Sequence, residues 1–187
     1  MSEPDNPWHP LHAEALADLS RVVEAVQSHT GLSSRWNGTL QVRGLDFSFS
    51  GQKHRSCAIS IHEDVLSIPA QRWSTMIHES LHCVSGAFSS TGPSDPWEEA
   101  IVEQAQRLLR RTILADFGIH IDADDLEARD IMHPYNPAIE RLEMLRRVLS
   151  RDPVDFYLSL LAASAMERTR VRIDAQRRLV RDGEAEP

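Results

Sequence analysis

The stretch Trp73-Ser74-Thr75-Met76-Ile77-His78-Glu79-Ser80-Leu81-His82 decides the fold, and it ends in the pattern H-E-x-x-H at residues 78–82. Its apolar residues recur at intervals of three and four, which predicts a helix with one face turned to a core. Residues four apart lie almost above one another on a helix, so the imidazoles of His78 and His82 can converge on one point. The predicted helix can therefore offer two nitrogen ligands to one metal ion.

Glu79 lies roughly 100° around the predicted helix from His78, because an α-helix has about 3.6 residues per turn. That offset is too large for easy ligation of the same ion, but it suits a general base that acts on water beside the metal. The pattern favours a hydrolytic zinc site. Two surface histidines on an amphipathic helix, with no metal, are the alternative interpretation.

The next segment predicts a second helix with an acidic face. Asp95 precedes Pro96 as an N-cap precedes a first helical turn, and Glu98 is placed to complete a reciprocal cap. Glu99 and Glu103 are four residues apart, so they share one face of this helix. A short connection favours antiparallel packing of the two helices, which would bring that face over the histidines.

Together these segments resemble the gluzincin branch of the zincin metallopeptidases, in which H-E-x-x-H is followed by a helix carrying Glu-(small)-x-x-(acid). The resemblance spans about residues 56–110. It implies that His78, His82 and Glu99 bind one Zn²⁺ ion, that Glu79 is the general base, and that Glu103 orients His78. The residues themselves leave Glu103 or Glu98 open as the third ligand, and they leave a solvated surface position open for Glu103.

The resemblance also implies a hydrogen-bond donor from later in the chain for the oxyanion that forms when a carbonyl is attacked. Tyr135, in a turn-like stretch before a predicted helix, is the leading candidate. His133 and His120 are the alternatives. Tyr157 lies inside a predicted helix and is expected to pack.

The expected fold is α+β and zincin-like, with a small mixed or antiparallel sheet packed on a mostly helical domain. In zincins a strand just before the metal helix commonly forms the sheet edge that binds extended substrate, and residues 57–61 are placed for this role. An ordinary interior strand fits them equally well. Strands are predicted at 39–42, 46–50 and 56–62, with 65–68 continuing the last. Outside the site, helices are predicted at 11–29, 136–149 and 154–180, with a short capped helix within 122–130.

Length and composition predict one domain over residues 1–187, with loose ends at 1–10 and 182–187. The net charge of −8 argues against a general attraction to nucleic acid, and the arginines between 168 and 181 are interpreted as a solvated helix face. No apolar run approaches the ~20 residues that span a bilayer. The acidic N-terminus lacks a signal pattern, and the two cysteines are interpreted as buried thiols, so a cytoplasmic location is expected.

These observations predict a zinc-dependent metallopeptidase that cleaves a specific intracellular protein or peptide. A zinc-containing module that only binds a peptide or small molecule is one alternative. The intact Glu79 argues against it, because a binding module needs no general base. A hydrolase of a non-peptide amide or ester on the same scaffold is the other.

Overall fold

A computed structural model describes residues 8–44, 48–87 and 95–184 and contains eight helices and three short strands within those ranges. The helices are α1 His12–Thr30, α2 Glu63–Leu66, α3 Pro69–Val84, α4 Pro96–Asp116, α5 Ala123–Ile131, α6 Asn136–Val148, α7 Pro153–Ala162 and α8 Ala165–Glu184. The strands are β1 Leu40–Arg43, β2 Gly51–Lys53 and β3 Ile59–His62. None of these helices is long and apolar enough to cross a bilayer. The ends predicted to be loose fall largely outside the described residues.

The three strands form one mixed sheet in the order β1-β3-β2. β1 pairs with β3 in parallel, and β2 pairs with β3 antiparallel. The expected α+β class with a small mixed sheet is therefore confirmed. β3 lies between the other two strands, so residues 59–61 of the segment 57–61 belong to an interior strand, and β2 is an edge of the sheet within the described residues.

Two strand predictions differ from the structure. Part of the strand predicted at 46–50 lies outside the described residues, and the strand that forms begins at Gly51. The prediction that residues 65–68 continue β3 is wrong, because the short helix α2 occupies Glu63–Leu66. The His62 ring accepts a hydrogen bond from the Asp64 backbone N–H at 3.1 Å and so caps this helix.

Helix α3 is the centre of the molecule. Every residue from Trp73 to Val84 is buried, including the polar face that carries the two histidines. That face is covered by α4, whose N-terminal half lies antiparallel to α3: His78 meets Glu103 and Glu99, and His82 meets Glu99 and Glu98. The amphipathic pattern predicted the helix correctly, and α4 covers its polar face as the predicted antiparallel packing requires.

The helix predicted over residues 154–180 is two helices. α7 ends before Ala163, whose backbone is extended. Ser164 then caps α8 reciprocally: its N–H donates to Glu167 Oε2 at 2.8 Å, and its hydroxyl oxygen accepts from the Glu167 N–H at 3.4 Å. The break redirects the chain, and the first turn of α8 reaches the start of α4 and the end of α3.

Candidate metal centre

Three side-chain atoms from α3 and α4 converge in the buried space between these helices. His78 Nε2 and His82 Nε2 lie 3.2 Å apart, and Glu99 Oε2 lies 3.2 Å from the first and 3.3 Å from the second. Ligand bonds of about 2.0–2.1 Å at tetrahedral angles would separate neighbouring ligand atoms by about 3.3 Å. The three atoms therefore fit three corners around a zinc-sized ion, and these three residues could hold a metal ion.

A carboxylate stands behind each of the two histidines. Glu103 Oε2 lies 3.0 Å from His78 Nδ1, and Glu98 Oε1 lies 3.5 Å from His82 Nδ1. A carboxylate at Nδ1 favours a proton on that nitrogen and turns the Nε2 lone pair toward the centre. Two such lone pairs and the Glu99 oxygen face one another, so the centre needs positive charge, either from protons or from a metal ion.

Without a metal, protons supply that charge. Burial by itself lowers the pKa of His78, but hydrogen bonds to Glu103 and Glu99 outweigh it and raise the pKa to about 10. The pKa of His82 is also raised, because the influence of Glu98 and Glu99 exceeds that of burial. Burial by itself raises the pKa of Glu99, but its hydrogen bonds with His78 and His82 outweigh burial and lower that pKa. At neutral pH the metal-free centre therefore holds protonated histidine.

Metal binding is consequently expected to release protons at neutral pH, since a metal ion binds the unprotonated ring. The proton on His78 is bound up to a pH of about 10. Zinc affinity should therefore rise about tenfold per pH unit for each proton displaced, and it should keep rising between pH 7 and 9. Chelator competition at several pH values measures the zinc affinity. Calorimetry in buffers of different ionisation enthalpy measures the number of protons released. An affinity that levels off above pH 7, as ordinary histidines would give, would contradict this expectation.

Glu103 is fully buried, so it is not the solvated surface carboxylate of the alternative interpretation. Its second oxygen, Oε1, accepts hydrogen bonds from Arg107 Nε at 3.0 Å and Arg129 Nη1 at 2.8 Å. Arg107 also donates to Asn136 Oδ1 at 2.9 Å. His78 is thereby connected through Glu103 to the start of α6, directly after Tyr135. Glu103 occupies the position behind the histidine rather than that of a ligand.

Tyr135 lies at the centre, as expected. Its ring is nearly parallel to that of His78, with 6.4 Å between the ring centroids. Burial and the nearby Glu99 carboxylate raise the pKa of the Tyr135 hydroxyl, which therefore keeps its proton at neutral pH and can donate it in a hydrogen bond.

The alternative donors lie differently. His133 Nε2 is 3.6 Å from Glu103 Oε2, behind the ligand histidine, and burial lowers its pKa to about 4. His120 lines the neighbouring cavity. Tyr157 is fully buried and packs edge-on against Phe156, as predicted.

Glu79 is buried beside the ligands and lines the cavities on both sides of the centre. Burial raises the pKa of Glu79 against the lowering influence of His78 and His82. A raised pKa suits a group that must take up a proton and give it back near neutral pH. The Lys53 backbone amide, on strand β2, hydrogen-bonds this carboxylate.

Gly51 allows β2 to approach the Glu79 side chain. A Cβ atom at this position would lie 2.6 Å from Thr75 Cγ2 and 2.9 Å from both Cγ and Oε1 of Glu79. Such distances are far inside van der Waals contact, so either the strand or the Glu79 side chain would have to move. Only a glycine keeps both in place.

Gly51→Ala is therefore expected to lower turnover about 100-fold while zinc stays bound, because a displacement near 1 Å at the reacting groups has an effect of that size. Steady-state kinetics together with metal analysis measures this. Thr75→Ser removes the Cγ2 atom that is closest to the new methyl group, so the double variant should recover part of the activity. Gly44→Ala is the matched control, since its Cβ would lie 3.4 Å from the nearest atom. Unchanged turnover in Gly51→Ala would contradict the expectation.

Two cavities meet at the centre, with volumes of about 740 and 880 Å³. Both are lined by Gly51, His78, Glu79 and Tyr135. The smaller cavity has an apolar wall contributed by α4, α6 and α7, formed by Trp97, Ile101, Leu142, Leu145, Phe156 and Leu160. The candidate metal centre is therefore open to a cavity on each side.

The structure brings together all the predicted ligands and the predicted base, and it corrects one residue. Glu98 does not close a reciprocal helix cap; it lies between His82 and Arg168. Asp95 caps α4, accepting from the Trp97 N–H at 3.0 Å. Both cysteines are buried free thiols, as expected.

No family model, curated protein or solved structure matches the chain, so the geometry of the centre carries the functional argument.

Proposed function

We propose that this chain is a zinc-dependent metallopeptidase of the gluzincin type with a zincin-like fold. The observation that carries the proposal is the triangle of His78 Nε2, His82 Nε2 and Glu99 Oε2, with sides of 3.2–3.3 Å. Two imidazoles and one carboxylate form the ligand set of hydrolytic zinc sites. Zinc, when bound, polarises a carbonyl group and lowers the pKa of water.

The chain's own residues supply the proton transfers. Glu79 accepts a proton from the attacking water and, once protonated, donates it to the departing amine. Its burial excludes bulk water from this exchange. Tyr135, protonated at neutral pH, donates a hydrogen bond to the oxyanion as the carbonyl is attacked. Its position over the His78 ring supports this role.

The edge strand supports a peptide as substrate. Ser50 O accepts from His62 N–H, and His54 N–H donates to Ala58 O, so these residues of the β2 segment face β3. Backbone groups alternate along an antiparallel pair, and the N–H and C=O of Gly51 therefore point to the opposite side, toward the centre. An extended peptide can add to such an edge through main-chain hydrogen bonds.

The smaller cavity supports a preference among peptides. Its apolar wall lies beside His82 and Glu99, and its volume of about 740 Å³ exceeds that of one large side chain. Burial of a fully apolar side chain there would contribute about 1.5–3 kcal/mol to binding. Peptides with a bulky apolar residue near the cleaved bond are therefore the proposed substrates.

The test is zinc loading followed by incubation with a peptide library, with cleavage sites mapped by mass spectrometry. The proposal requires one zinc ion per chain, cleavage that stops when a chelator removes the zinc, and cleavage that returns when zinc is added back. Small amides and esters are assayed in parallel. A loaded protein that hydrolyses these but no peptide is a hydrolase of another class, and one that hydrolyses neither is a binding module. A protein that takes up no metal overturns every version of the proposal.

A further inference from the structure

Arg168, in the first turn of α8, is 86 residues along the chain from His82 and reaches the back of the metal centre. Its side chain is 11% exposed, and it pairs through Nη1 with the Glu98 carboxylate. Its other nitrogens donate to two further elements: Nε to Leu160 O at 2.7 Å and Nη2 to Ser85 Oγ at 2.9 Å. The guanidinium is therefore fixed by α7, by the end of α3 and by the start of α4 at the same time.

Glu98 divides its two oxygens between Arg168 and His82. Oε2 pairs with the guanidinium, and Oε1 lies 3.5 Å from His82 Nδ1. The ligand atom of His82 is Nε2, on the opposite side of the ring, so Glu98 stands behind the ligand as Glu103 stands behind His78. Partners of this kind fix the orientation and tautomer of a ligand histidine.

The charges around Glu98 explain why it needs a cation. Its neighbour Glu99 and the buried Glu79 are both carboxylates of the same centre, and the Glu98 side chain is itself only 15% exposed. Like charges repel strongly where water is scarce. Without Arg168, the Glu98 carboxylate would be favoured to turn toward solvent, and His82 would lose the group behind its Nδ1.

We infer that Arg168 is a positioning residue of the metal centre, which holds Glu98 in place behind His82 and so makes the C-terminal helix part of the zinc site. The inference rests on the zinc site of the proposed function but does not require peptidase activity. Loss of an outer partner of a ligand typically weakens metal binding about 10–100-fold. The same effect is expected for loss of Arg168.

The experiment compares the zinc affinity of Arg168→Met, Glu98→Gln and the double variant in the full chain by chelator competition. Each single variant should bind zinc about 10–100-fold more weakly than the unmodified protein. Because Arg168 acts through Glu98, Arg168→Met should cause little further loss of zinc affinity in a protein that already carries Glu98→Gln. The visible absorption of the Co²⁺-loaded proteins should change in both single variants, since it reports ligand geometry directly.

Arg170→Met is the matched control, on the same helix and exposed, with a contact to Met166 on its own helix. It should leave both zinc affinity and the Co²⁺ spectrum unchanged. If Arg168→Met folds and binds zinc within about twofold of the unmodified protein, the inference is wrong. If Arg168→Met does not fold, the zinc affinity of Glu98→Gln is the test. An affinity of Glu98→Gln equal to that of the unmodified protein would then overturn the inference. Failure of the unmodified chain to take up zinc would instead overturn the proposed function itself.

Discussion

Glu79→Gln should keep one zinc ion per chain and lose about 10²–10⁴-fold in turnover, the range that one general acid–base group contributes. The amide has nearly the shape of the carboxylate but cannot accept the proton that Glu79 takes up. Because Glu79 is not one of the three converging ligand atoms, the substitution should leave metal binding intact. Zinc content and the rate of peptide cleavage are measured on the same preparation.

Glu140→Gln, an exposed position on α6, is the matched control and should cleave normally. The pH dependence adds a second readout. The raised pKa of Glu79 should set the acidic limb of the activity profile. Activity should fall as pH drops through that pKa, because the protonated carboxyl cannot act as a base. A Glu79→Gln protein with full turnover would exclude Glu79 from the reaction.

Glu99→Gln should weaken zinc binding more than Glu103→Gln does, and this comparison tests which glutamate is the ligand. Glu99 Oε2 completes the triangle with the two histidines, whereas Glu103 contacts His78 from behind. Loss of an outer partner costs about 10–100-fold in metal affinity, so loss of a ligand charge should exceed about 100-fold. Chelator competition on both variants gives the ratio of their zinc affinities.

Glu103→Gln provides the internal control, because both substitutions replace a buried carboxylate on the same helix. Thermal unfolding of the metal-free variants checks that each one folds. Weaker zinc binding in Glu103→Gln than in Glu99→Gln would reverse the assignment of the third ligand. Equal, unchanged affinities in both variants would remove Glu99 and Glu103 from the metal centre.

The elements that were predicted correctly are those specified by local signals. The H-E-x-x-H spacing defines α3, and the caps at Asp95 and Asp122 mark the starts of α4 and α5. Since two helices with a short connection tend to pack antiparallel, the approach of the acidic face of α4 to the histidines also followed from the sequence. The choice of Glu99 on that face followed from the family resemblance. The position of Tyr135 followed from the family resemblance rather than from any periodicity.

The features that were missed depend on contacts between distant residues. β2 pairs with β3 and approaches α3 where Gly51 lies against Thr75 and Glu79, and nothing near Gly51 in the sequence indicates that fit. Glu98 looked like a capping residue because its partner Arg168 lies 70 positions away. One local signal does mark the break between α7 and α8: Ser164 and Glu167 form the S-x-x-E pattern that starts α8.

The complete burial of α3 from Trp73 to Val84 has a consequence for how the protein opens. Backbone amides in such an element exchange their hydrogens with solvent only when most of the molecule comes apart. His78 and His82 are thus expected to belong to the slowest-exchanging part of the chain. Release of the ion should leave this helix formed, and the empty centre should be ready to be refilled without refolding.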